Sequence, residues 1–91
     1  MAKVSDRYGN QIEITDERWN HIITGHPELK DFHEEVLETI KKGRRRQDTI
    51  DDKKYKYIKD FANLPLGYTH LVVVVKLIKN KFVLTAYGIE R

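Results

Sequence analysis

Residues 70–78 constrain this chain more than any other stretch, because their centre, Val72-Val73-Val74-Val75, is four β-branched residues in a row. Branching at Cβ stiffens χ1 and suits a pleated strand better than a helix. An unbroken apolar run marks a central strand with both faces at least partly covered. Its partner is residues 82–89, across Lys79-Asn80. A two-residue turn there opposes Leu77 to Phe82, Val75 to Leu84 and Val73 to Ala86 on one wholly apolar face. The other face then pairs His70 with Ile89, Val72 with Tyr87, Val74 with Thr85 and Lys76 with Val83, so polar groups gather on it. A three-residue loop would shift these pairs. Residues 55–61 alternate as a further strand, and 46–50 is a short candidate for a fourth.

An apolar sheet face needs a cover. Residues 4–15 read as a short hairpin turning at Gly9-Asn10, with Ile12 and Ile14 alternating with polar neighbours. Thr15 is placed to cap a helix that carries Asp16 and Glu17 in its first turn and stops at Gly25. Trp19, Ile22 and Ile23 form its apolar face, and His21 points to nearly the opposite side. A second helix is expected over 27–42, opened by Pro27, with Gly43 as its C′ cap and a stripe of Leu29, Phe32, Val36, Leu37 and Ile40. Neither helix hides its stripe alone. The fold expected is therefore α+β: an N-terminal short hairpin and two helices packed on one face of a roughly four-stranded antiparallel sheet, with residues 1–91 as a single domain.

The chain has no cysteine, which removes thiol catalysis, thiolate metal sites and disulfides, and fits a reducing interior. No signal-peptide pattern and no run of eighteen apolar residues occurs, so neither secretion nor membrane spanning is expected, and the expected location is cytoplasmic. The net charge of +3 conceals a split. Residues 1–40 carry four Lys/Arg against nine Asp/Glu, whereas residues 41–91 carry thirteen against five. Basic charge gathered in one half suits a polyanion partner; it also simply keeps a small protein soluble.

Histidines are the side chains whose ordinary pKa sits near neutrality. His21 is a candidate general base or phosphate contact, or else a solvent-facing residue. His26, between Gly25 and Pro27, either caps the first helix or takes part in acid–base chemistry. His33 falls within the second stripe as a core or boundary residue, and His70 opens the central strand on its polar face. The spacings His21-x4-His26 and His26-x6-His33 put no two imidazoles at i, i+4, and there is no HExxH motif. No metal or other cofactor is expected. Arg44, Arg45 and Arg46 follow the second helix directly, as a phosphate clamp or as cations neutralising its C-terminal dipole. Lys53, Lys54, Lys56 and Lys59 interleave with Tyr55 and Tyr57, a pattern suited to single-stranded nucleic acid and also to a packed sheet face. Thr85 and Tyr87 share the outward face with Lys76, where a hydroxyl can hold a phosphate oxygen and a ring can stack on a base. Arg91 adds a cation near the same edge.

The segments Ile14-Thr15-Asp16-Glu17-Arg18-Trp19-Asn20-His21-Ile22, His26-Pro27-Glu28-Leu29, Val72-Val73-Val74-Val75-Lys76 and Thr85-Ala86-Tyr87 resemble a group of small bacterial, archaeal and phage-associated proteins. That group is similar in layout to the barnase/RelE-like (BECR) nucleases, which include toxin ribonucleases. The resemblance implies two N-terminal helices on an antiparallel sheet of about four strands, with an RNA site on the exposed sheet face; His21, His26, Thr85 and Tyr87 match motif positions. The expected function is a metal-independent endoribonuclease, in one form the toxin of a toxin–antitoxin or mobile-element system. Its catalytic residues would be His21, His26 and Thr85. Arg44, Arg45, Arg46, Tyr57, Lys76 and Tyr87 would bind substrate, with RNA and an antitoxin protein as partners. The alternative is a non-catalytic nucleic-acid or protein-binding module with the same fold.

Overall fold

Strand formation by the valine-rich segment and its neighbours builds a larger sheet than four strands. The computed structural model describes residues 2–91. Six strands, β1 (Ala2–Ser5), β2 (Gln11–Ile14), β3 (Arg44–Gln47), β4 (Lys54–Asp60), β5 (His70–Leu77) and β6 (Lys81–Ile89), lie in the order β1-β2-β6-β5-β4-β3. All pairings are antiparallel except that of β2 with β6, which is parallel and joins Glu13 to Phe82. The sheet is thus six-stranded and mixed, which corrects the expected four-stranded antiparallel sheet. The physical reason lies in the N-terminal hairpin. Alone it would leave Ile12 and Ile14 wet, whereas docked on the start of β6 they are 0% and 2% exposed.

The two helices, α1 (Asp16–Gly25) and α2 (His33–Lys42), are short, and they do not form the expected layer on one face. Helix α2 lies across β4, β5 and β1, while α1 packs on β6 and on a single 3-10 turn at Pro27–Leu29. Thr15 caps α1 as expected, its Oγ1 accepting from the Arg18 N–H at 3.1 Å. The helix expected over 27–42 is interrupted. Three successive i→i−3 bonds, from Leu29 N to His26 O, Lys30 N to Pro27 O and Phe32 N to Leu29 O, tighten the chain, and α2 starts afresh at His33. This break seats Leu29 in the core, fully buried beside Ile22, Val36 and Ile40. His33 turns its ring edge-on to Trp19, with centroids 4.7 Å apart, and links the two helices. No helix among the described residues is long and apolar enough to cross a membrane.

Gly43 ends α2, though not in the left-handed conformation typical of a glycine cap: its φ is −71° and its ψ 160°. The position requires glycine because backbone crowds it on two sides. A Cβ there would lie 2.3 Å from the Thr39 carbonyl oxygen and 2.7 Å from that of Ile58 on β4. Gly43→Ala is therefore expected to destabilise the fold by about 2–3 kcal/mol, the upper range for overpacking where neighbours cannot yield. A shifted urea midpoint at unchanged m-value would show it.

The β5–β6 hairpin fulfils half of the expected register. His70 opposes Ile89, Val72 opposes Tyr87, Val73 opposes Ala86 and Val74 opposes Thr85. Nearer the tip, the connection is three residues (78–80), and Val75 faces Val83, Lys76 faces Phe82 and Leu77 faces Lys81. A bulge at Leu84 absorbs the difference. One extra residue lets Val83 and Ala86, three positions apart, both point into the core.

Candidate functional site

Pleating assigns every second residue of each strand to one face. Tyr57, Leu71, Val73, Val75, Val83 and Ala86 point to the inner, core face. The outer face therefore carries Arg44 and Arg46 on β3, Lys54, Lys56 and Ile58 on β4, Val72, Val74 and Lys76 on β5, and Phe82, Thr85 and Tyr87 on β6. Val72 and Val74 are only 4% and 7% exposed there, shielded by flanking side chains on β4 and β6, so the central strand is covered on both sides. Towards one end, Arg46, Lys56, Arg91 and Tyr87 surround a hollow of about 210 Å³ with Ile58, Val72 and Ile89 among its lining. Arg91 is tied down by its backbone N–H, which donates to Thr69 Oγ1 at 2.9 Å.

The arginine run is divided by that same alternation. Arg44 and Arg46 are exposed on the outer face, but Arg45 turns inward. Its guanidinium lies 4.2 Å from the centroid of the Tyr8 ring, 4.6 Å from that of Tyr55, and 3.9 Å from Asp6 Oδ2. Tyr57 is fully buried and offers no surface to a substrate; its hydroxyl donates to Asp6 Oδ2. Burial, and then the hydrogen bond to the Asp6 carboxylate, push the Tyr57 phenol well above its ordinary pKa. For Asp6, burial alone would raise the carboxyl. The donors Tyr57, Asn10 and Tyr8 outweigh it and hold the carboxyl below its usual range. These groups form a buried polar clasp between the β1–β2 turn and strands β3 and β4, a structural arrangement that sequence spacing does not reveal.

Two lysines are also engaged. Lys76 on the outer face is bound to Asp51, whose carboxyl is held below its ordinary range chiefly by that hydrogen bond. Lys59 leaves the outer face altogether, pairing with Glu38 of α2 at 3.4 Å and covering the Phe61 ring.

The histidines separate as well. His26 follows α1, where its backbone N–H closes the helix on Ile22 O at 2.8 Å; the ring makes no capping bond. Instead its centroid lies 6.4 Å from that of Tyr87, and Nδ1 is 3.6 Å from Glu28 Oε2. Glu28 is fixed in turn by the Tyr68 hydroxyl at 2.9 Å, and its carboxyl sits below the ordinary range, first through its own backbone N–H. Tyr68 can approach because Gly88 has no Cβ: one placed there would lie 2.1 Å from the tyrosine ring. His21 is exposed on α1 and lines a different hollow with Arg18, Asn20 and Thr24. Thr85 is half-buried two residues before Tyr87 on the outer face. The structure thus gathers Tyr87, Arg46, Lys56 and Arg91 around one hollow, sets His26 beside Tyr87 outside its lining, and leaves His21, Arg45 and Tyr57 out. Lys56 and Arg91 were legible as cations, but Glu28 and Tyr68 as supports for His26 were not. No family model, curated protein or solved structure matches the chain.

Proposed function

We propose that the chain binds single-stranded RNA on its outer sheet face and cleaves it without a metal, using the substrate's own 2′-hydroxyl as nucleophile. One observation carries this reading: three cations and a tyrosine share a hollow, and an imidazole stands at that tyrosine. His26 removes the 2′-proton, and Glu28 beside Nδ1 orients the ring. The 2′-oxygen bonds to phosphorus, the bond to the 5′-oxygen breaks, and the Tyr87 hydroxyl supplies the leaving oxygen's proton. Arg46, Lys56 and Arg91 stabilise the charge that develops on the non-bridging oxygens. The likeness to barnase/RelE-like ribonucleases belongs to this reading, and with it the role of a toxin restrained by a protein antitoxin. It rests on the motif residues His21, His26, Thr85 and Tyr87 and not on sheet topology.

Incubation with single-stranded RNA in the presence of EDTA tests the proposal. Fragments ending in 2′,3′-cyclic phosphate and 5′-hydroxyl are expected, and intact RNA would overturn catalysis. A second reading, binding without cleavage, is favoured by one observation: His21, the other candidate catalytic imidazole, lies outside the hollow. RNA that is retained but uncut would select it. In either case the face is electrostatic. Arg46→Ala and Lys56→Ala should each reduce the slope of log affinity against log salt by about 0.7, the value for one single-strand phosphate contact.

A further inference from the structure

The outer face continues past β6 onto the N-terminal hairpin, and there it holds a second cationic hollow. Lys3, Arg18, Lys79 and Lys81 line a recess of about 580 Å³ in which Glu13 is the one acid. Phe82 borders it from the outer face, and Gln11, Thr15 and Asn80 add polar groups. Four cations against one carboxylate in an open polar recess attract an anion of repeating charge more than a neutral ligand.

The two hollows lie on the same strand. Tyr87 belongs to the first and Phe82 to the second. Because of the bulge at Leu84 they stand opposite Val72 and Lys76 of β5, four residue steps apart, or about 13 Å. Thr85 faces outward between them, and Asp51, the acid that reaches this face, is paired with Lys76 opposite Phe82. Aromatic rings at both ends with cations around each match what a single strand needs, bases stacking while phosphates pair. We infer that the second hollow is a remote phosphate site on one continuous track along β6, so that the ligand is a single-stranded oligonucleotide of about four or more nucleotides and not a mononucleotide or dinucleotide. This rests on the RNA-binding reading above and adds the length of ligand that the face requires.

Length-dependent binding of 2′-O-methyl oligouridylates, which resist cleavage, tests it. For the native chain, affinity should rise steeply from the dinucleotide to the hexanucleotide and then level off. In the double variant Lys79→Ala/Lys81→Ala, the rise should be largely lost, and the salt slope measured on the octanucleotide should fall by about 1.4. Both lysines lie at the hairpin tip, and the far-ultraviolet circular dichroism of the variant checks that the sheet is kept. Native affinity that is flat beyond the dinucleotide, or a variant with the native length dependence, would overturn the inference while leaving RNA binding intact. Native protein that binds none of the oligomers would overturn the RNA reading itself.

Discussion

His26→Ala should lower the rate of RNA cleavage by about 10²–10⁴-fold, the range a positioned acid or base supplies, with much less effect on RNA affinity. His21→Ala should cleave at close to the native rate. The contrast follows from position: both histidines belong to the same motif region, but His26 lies against Tyr87 and Glu28, whereas His21 is exposed in another hollow. Single-turnover rates with saturating protein separate the chemical step from binding. Equal losses in the two variants would remove His26 from the role of base. Glu28→Gln keeps the shape and removes the charge beside Nδ1, so its effect should fall on the rate and alter its pH profile.

Asp6→Ala should cost the fold about 3 kcal/mol. The Asp6 side chain has no solvent exposure, and it accepts from Tyr57 Oη, from the Tyr8 and Asn10 backbone N–H groups at 2.9 and 2.8 Å, and from Asn10 Nδ2 at 3.1 Å. Removing it strands a buried hydroxyl and leaves Arg45 without its carboxylate, the situation in which lost partners are most expensive. Chemical denaturation measures this directly, and Tyr57→Phe should show a smaller loss. The acid dependence has a definite sign. The folded carboxyl titrates below its ordinary value. Its contribution is therefore complete above about pH 4, the unfolded value, and disappears as the pH falls from there through the folded value. The native chain should lose stability in that window, and Asp6→Ala should lose less.

Much of the second half of the fold was legible in the sequence, because β-branched residues at period two have few alternatives. Strands β4, β5 and β6 fall within a residue of the expected limits, and five pairs from Val74 to His70 keep the expected register. The rest was hidden for identifiable reasons. A single parallel bridge, Glu13 to Phe82, enlists the hairpin in the sheet, and one bridge leaves no periodic signal. The arginine run reads as one cluster until it is known that β3 begins at Arg44, after which alternation sends Arg45 inward. Tyr57 looks like a surface ring among lysines; its partner Asp6 lies 51 residues away. The Leu84 bulge depends on a loop one residue longer than the turn signal suggests.

That bulge also bears on the shape of any ligand. Bulged strands bend and twist more than regular ones, and Leu84 falls between Phe82 and Tyr87, with its carbonyl oxygen held by Arg18 at 3.4 Å. A pliable polymer follows such a corner without penalty. A stiff double helix resists curvature over so few base pairs, so on the RNA-binding reading proposed above the bulge would favour single strands over duplexes.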